Sequence, residues 1–272
     1  MNFLSYHCLL QSFQHKPLEV QSLLLYKRFE VIETLQNKSN RLVLGVFDYE
    51  TSQYLAVKFH LHVWENFGKR GPDTLLMEST VIKRLQGILG VAKFVAENLK
   101  PSFEPLLGTT IWLALQWYRD YKKWNVKPPS GRKGLLLWCD LAYTCLEFVK
   151  NSVIHRDLKP KNIIICENDQ SYNFKIVDFG VALLEENPTI AWDIFLREDL
   201  YNLGKLLYFI LTGNRVYRLR LDDIIAKDFL IGLNYAQEFV SICQTFISPS
   251  KDTSQLTIRN LIDRVKEISM SI

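Results

Sequence analysis

The sequence predicts an α+β chain in two parts: a β-rich part built around a single long helix, followed by a mainly helical part. Three observations carry this. Runs of β-branched and aromatic residues bounded by polar turns recur at Phe29–Glu33, Arg41–Phe47 and Tyr54–Phe59. A helical period of apolar residues interrupts them at Thr74–Leu85 and returns over Leu135–Val149. With 272 residues and 48% hydrophobic content, the chain is long and apolar enough to bury one large core or two smaller ones.

Taken in order, residues 1–26 read as an N-terminal extension with irregular apolar spacing, expected to form a short helix. After the three strands, Pro72 and Asp73 mark a helix start, and Leu75, Leu76, Ser79, Ile82 and Leu85 fall at helical spacing. Lys93–Val95 and Thr110–Trp117 return to strand character. The stretch Arg119–Lys133 contains Pro128, Pro129 and Gly131 and reads as a loop or broken helix. It is strongly basic, and Trp117, Tyr118, Tyr121 and Trp124 interleave with its lysines. That pattern fits either a solvated loop or a nucleic-acid patch. From Leu135 to Val149 the apolar positions are those of a helix laid against a core. Two strand-like runs, Ile163–Ile165 and Phe174–Val177, precede a hydrophobic helix expected from Asp199 to about Gly213. Phe239–Phe246 and Leu256–Ile268 supply two closing helices. The expected division is therefore 1–26, 27–115 and 116–272.

Several classes are disfavoured. A net charge of +4 demands no nucleic acid. The odd, scattered cysteines (Cys8, Cys139, Cys145, Cys166, Cys243) suggest no disulfide framework, so a reducing, cytoplasmic setting is expected. Met1–Leu10 lacks the basic start of a secretion signal. Asp140, Glu147 and Lys205 break the long apolar stretches, so no membrane span is expected. His60 and His62 share a strand face but have no third ligand nearby in sequence.

The chemistry concentrates at His155-Arg156-Asp157-Leu158-Lys159-Pro160-Lys161-Asn162, with Asp178-Phe179-Gly180 after the second apolar run. The two runs predict a β-hairpin that carries a carboxylate base, an amide oxygen and a second carboxylate. Hard oxygen donors of this kind suit Mg²⁺. This constellation resembles the catalytic and metal loops of the eukaryotic-type serine/threonine protein kinase superfamily. The resemblance implies a bilobal protein-kinase-like fold with a small antiparallel β lobe, one major helix and a mainly α-helical large lobe.

It also implies ATP and Mg²⁺ as cofactors and a protein as the phosphate acceptor. Asp157 is then the catalytic base, Lys159 neutralises the transferring group, and Asn162 and Asp178 hold the metal. Lys58, in Ala56-Val57-Lys58, is the phosphate-binding lysine and Glu78 its helix partner; Glu65 lies too close in sequence to reach a helix. Leu35, Val43 and Ala56 would cover the adenine from above and Ile164 from below. Leu115 would guard the back pocket, with Gln116 and Trp117 in the hinge.

Two features depart from the family. The three glycines of the phosphate-covering turn are replaced by Gln36, Lys38 and Arg41. Glycine lets backbone N–H groups approach phosphate, so this cradle is expected to be obstructed, with Lys38 or Arg41 able to offer charge instead. The span from Asp178 to Asp199 is also short, and the Ala-Pro-Glu element is missing. Its usual arginine partner is missing too: Pro249–Ser254 carries an acid and polar residues near that place. Thr189 is the only hydroxyl between Gly180 and Asp199, so Arg156 is expected to pair with Glu185 or Glu186 rather than with a phosphate. Beside an active protein kinase, three other readings stay open: a pseudokinase scaffold, a small-molecule kinase, and a nucleic-acid role for the basic stretch.

Overall fold

The computed structural model describes residues 24–38, 41–60, 70–124, 129, 131–185, 190–213, 241–242, 245–246 and 255–271. They fall into two compact units. One runs up to Gln86 and resumes over Ala92–Arg119; the other comprises Gly87–Val91 and the chain from Asp120 onward. The expected N-terminal helix, His62 and most of Phe239–Phe246 lie outside the described residues.

Among the described residues the first unit is a six-stranded antiparallel sheet, ordered β1-β2-β3-β4-β6-β5, with one helix. Its elements are β1 Leu24–Leu25, β2 Phe29–Lys38, β3 Arg41–Asp48, β4 Gln53–His60, α1 Arg70–Arg84, β5 Phe94–Glu104 and β6 Gly108–Gln116. Alternation sorts the side chains. Leu42, Leu44 and Val46 of β3 join Leu55, Val57 and Phe59 of β4, all fully buried, with Trp112 and Ala114 of β6. The opposite face follows from the register: Val43 lies across from Lys58, Gly45 from Ala56, and Ala56 from Leu115. Helix α1 begins earlier than its Pro72-Asp73 signal suggests. It buries Leu75, Ser79 and Ile82, with Leu85 buried just past its end, but leaves Leu76 exposed. The buried stripe runs through Glu78 instead, a position that apolar counting passes over.

Glycine is required at one point on this sheet. A Cβ on Gly45 would lie 2.5 Å from the Trp117 ring, far inside van der Waals contact. Gly45→Ala is therefore expected to cost about 1–3 kcal/mol through overpacking. Urea midpoints should show the loss, and Trp117→Leu in the same chain should restore stability. An alanine variant as stable as the parent would refute the close approach.

The second unit contains β7 Lys122–Lys123, α2 Gly131–Lys150, β8 Val153–Ile154, a 3-10 turn Pro160–Asn162, β9 Ile163–Glu167, β10 Tyr172–Ile176, β11 Leu183–Leu184, α3 Ile190–Thr212 and α4 Gln255–Ser271. Helix α2 buries Leu135, Trp138, Ala142, Cys145 and Leu146, with Trp138 Nε1 donating to the Leu203 carbonyl of α3 at 2.9 Å. Helix α3 starts nine residues before Asp199, so Asp199 sits inside it rather than at its mouth. Trp124 is 1% exposed and packs on Phe209 at 5.8 Å between ring centroids. In the first unit Arg119 stacks on Tyr54 and Trp117. Much of the aromatic interleaving around 117–124 is thus internal packing. Cys139, Cys145 and Cys166 are free thiols, and burial pushes the Cys139 thiol up to about 12. Among the described residues, no helix is long and apolar enough to cross a membrane.

Candidate active site

In the first unit the sheet register sets Lys58 across from Val43 on one side and Leu113 on the other. The ammonium of Lys58 donates to both oxygens of Glu78, at 2.7 and 2.6 Å. The side chains are 16% and 3% exposed, so the pair is largely out of water. Burial of a carboxylate on the inner face of α1 is tolerated because a cation meets it.

Val43, Ala56 and Leu115 share the face of the sheet that carries Lys58. Leu35 falls at a register shift of β2, where the ladder with β3 passes from Thr34 to Gln36. At the end of β6, Gln116 N–H donates to the Lys93 carbonyl at 2.9 Å and Trp117 N–H to the Tyr54 carbonyl at 3.2 Å. Those two N–H groups are therefore committed to the sheet. An adenine edge meeting these two residues would find their carbonyl oxygens rather than their N–H groups. Strands β2 and β3 remain paired through Gln36↔Val43 to Lys38↔Arg41. Arg41 Nη2 also donates to Thr74 Oγ1 at 3.2 Å. The replaced glycines thus stand in an ordinary hairpin ladder.

In the second unit Asp157, Lys159 and Asn162 come together tightly. Lys159 Nζ donates to both Asp157 oxygens at 2.7 and 2.6 Å. Asn162 Nδ2 donates to the Asp157 carbonyl and to its carboxylate, both at 2.9 Å. This fixes the Asn162 amide so that its oxygen, the acceptor end, is not used on Asp157. The 3-10 turn that delivers Asn162 begins at Pro160, whose missing N–H costs nothing there. Strands β9 and β10 then form the expected hairpin, with Ile163↔Ile176 and Ile164↔Lys175 in register. Ile164 is half-buried on β9. Val177 N–H donates to the Asn162 carbonyl at 2.9 Å, tying the second motif to the first.

Asp178 follows with φ of +69°, a left-handed backbone uncommon outside glycine. What holds it is the next residue. Phe179 is fully buried against Phe148 at 5.5 Å and His155 at 4.8 Å between ring centroids. Among the described residues no cluster of three or more His, Cys, Asp or Glu side chains could hold a metal. Asn162 and Asp178 supply an amide oxygen and a carboxylate, and this donor chemistry fits Mg²⁺.

Asp199 is the residue here whose role the sequence did not disclose. Its carboxylate, 6% exposed, accepts the His155 N–H at 2.7 Å and the Arg156 N–H at 2.9 Å. It therefore anchors the catalytic loop from α3. The available signal was slight, because Asp199 directly follows Arg197 and Glu198 in a helix that also carries Asp193. Arg156 also departs from expectation. Among the described residues it makes no ion pair with Glu185, and Glu186 lies outside them. Its guanidinium instead lies 3.9 Å from the centroid of the Phe195 ring.

Two buried groups give the unit opposite responses to pH. Burial lowers the His155 imidazole to about 4, so the folded chain binds fewer protons than the unfolded chain between about 4 and 6.5. Its contribution is full above 6.5 and is lost as pH falls through 4. Burial raises Asp199 to about 7 against the pull of its two N–H donors. The folded chain then binds more protons between 3.8 and 7, and stability falls as pH rises through that window. The two slopes oppose each other between pH 4 and 6.5. His155→Phe is expected to unmask a decline with rising pH in urea titrations; a variant whose stability still rises would contradict the assignment.

A family model for the protein kinase domain matches residues 142–195, which hold the end of α2, the catalytic loop, the β9–β10 hairpin and the start of α3. Relatives are similar over parts of the chain. The mouse serine/threonine-protein kinase DCLK3 is 26% identical over 160 residues, 53% of this chain and 19% of that protein. The rabbit serine/threonine-protein kinase 17A is 24% identical over 135 residues, 43% of this chain and 31% of that protein. A probable serine/threonine-protein kinase KIN1 homolog of Encephalitozoon cuniculi is 37% identical over 82 residues, 24% of this chain and 14% of that protein. The matched segments therefore span less than a third of each of these relatives. With the α+β architecture, the β9–β10 hairpin and the Asp157–Lys159–Asn162 cluster, they make the chain similar to protein kinases over these segments.

Proposed function

We propose that the chain transfers the γ-phosphoryl group of Mg²⁺-ATP to serine or threonine hydroxyls of protein substrates. The observation that supports this reading best is the convergence of Lys159 and Asn162 on the Asp157 carboxylate. In the step proposed, the substrate hydroxyl oxygen bonds to the γ-phosphorus while the bond to the β–γ bridging oxygen breaks. ADP leaves with that electron pair, and the hydroxyl proton passes to the Asp157 carboxylate. Lys159 moves from Asp157 to the transferring group and offsets its charge. Lys58, held by Glu78, binds the α- and β-phosphates. Val43, Ala56 and Leu35 in the first unit, and Ile164 in the second, are the apolar residues that would meet the adenine, Leu115 would guard the back pocket, and Gln116 and Trp117 would read its edge. Asn162 Oδ1 and the Asp178 carboxylate would hold Mg²⁺, which when bound neutralises the phosphate oxygens.

The hairpin ladder at Gln36, Lys38 and Arg41 supports a second reading, a pseudokinase that serves as a binding module. One experiment separates the two. Labelled ATP with generic protein substrates should give incorporation by the wild type and none by Asp157→Asn, while both bind Mg²⁺-ATP. Equal incorporation by the two proteins, or none by either, would defeat the catalytic reading.

A further inference from the structure

We propose that Phe195 is a positioning residue that holds Arg156, and with it the catalytic loop, without phosphorylation. The proposal rests on the phosphoryl-transfer reading and adds how that site is kept ready. Three observations converge on Arg156. Its backbone has φ of +65°, a conformation that an arginine keeps only when neighbours impose it. Its N–H is bound by Asp199 at 2.9 Å. Its guanidinium carbon stands 3.9 Å from the centre of the Phe195 ring.

Phe195 and Asp199 are four residues apart in α3 and so lie on one face of that helix. A single helix face therefore grips Arg156 at both ends, the carboxylate at the main chain and the ring at the side chain. The Arg156 Nε is buried and has no hydrogen-bond partner among the described residues. An anion would ordinarily satisfy such a group. Here the π face supplies the negative potential, and a cation–π contact out of water is worth more than an exposed one. The stretch between Gly180 and α3 is short. Leu183 and Leu184 pair with Ile154 and Val153 directly ahead of the loop, and α3 begins at Ile190. Only Thr189 in that stretch could accept a phosphate.

The test compares Phe195→Leu, which removes the π face, with Phe195→Tyr, which keeps it. Ile194→Ser, at a neighbouring position 59% exposed, is the control. Phe195→Leu should lower kcat about tenfold, the rate equivalent of a desolvated cation–π contact, with the KM for ATP unchanged. It should also speed amide hydrogen exchange at Arg156 and Asp157. Phe195→Tyr and Ile194→Ser should match the wild type in both readouts, and phosphatase treatment should leave the wild-type rate unchanged. A Phe195→Leu protein with wild-type rate and exchange overturns the proposal, as does loss of wild-type activity after phosphatase. If Phe195→Leu does not fold, Phe195→Met takes its place. If the wild type shows no Asp157-dependent transfer, the catalytic reading fails alone. Exchange then decides the clamp: faster exchange in the leucine variant supports it, and equal exchange overturns it.

Discussion

Asp199→Ala should remove about 2–6 kcal/mol of stability, because it strands one buried and one part-buried backbone donor at once. The His155 and Arg156 N–H groups have the Asp199 carboxylate as their acceptor, and each orphaned donor costs about 1–3 kcal/mol. Against a typical total of about 5–15 kcal/mol, that is enough to unfold much of the population. The side chain also borders a small pocket lined by Cys145, Leu146, Leu196, Leu200 and Ile258, so the alanine leaves space that apolar neighbours already under-fill. Asp199→Asn is the sharper variant. Its amide oxygen can serve one N–H, but its NH2 would face the other, donor against donor. It should fall between wild type and alanine, and it should lose the decline in stability that Asp199 imposes between pH 3.8 and 7. Urea unfolding of the three proteins measures both effects. Asp199→Asn with wild-type stability and wild-type pH dependence would show that the carboxylate does not anchor the loop.

Where residues lie close together in the chain, their grouping could be read directly from the sequence. Asp157, Lys159 and Asn162 lie within one turn of chain, and the structure joins them by hydrogen bonds that such proximity nearly enforces. The strands at Phe29, Arg41 and Tyr54 were equally plain, because alternation over a half-buried sheet leaves a period of two. What escaped were contacts between residues far apart in the chain. Asp199 meets His155 across 44 positions, and nothing at either position declares the other. Phe195 lay ahead of the helix expected from Asp199, and periodicity reports burial and not which cation a ring will meet. Charge complementarity suggested Glu185 or Glu186 for Arg156; Glu185 makes no ion pair with it among the described residues, and the Phe195 ring lies against its guanidinium. Leu76 was misassigned for a related reason: apolar character was counted where the buried stripe of α1 admits a paired carboxylate at Glu78.

That carboxylate sets the second large effect. Lys58→Met should destabilise the chain by about 3–5 kcal/mol, because Glu78, with a side chain 3% exposed, loses its lysine while staying buried. Glu78→Leu alone should cost less, since Lys58 at 16% exposure keeps some access to water. The double variant Lys58→Met/Glu78→Leu should recover most of the loss: an apolar pair of similar volume carries no desolvation penalty, and buried ion pairs are often replaceable in this way. The coupling energy from this cycle, read from urea midpoints, should therefore be large and favourable. Phosphoryl transfer should follow a different pattern. It should fall in all three variants, the double one included, because restored packing does not restore a cation for the phosphates. A rescued fold without rescued transfer is the signature of a residue doing both jobs. If the double variant were as unstable as the sum of its parts, the pair would not be one buried unit. If it regained transfer, Lys58 would have no part in binding the nucleotide.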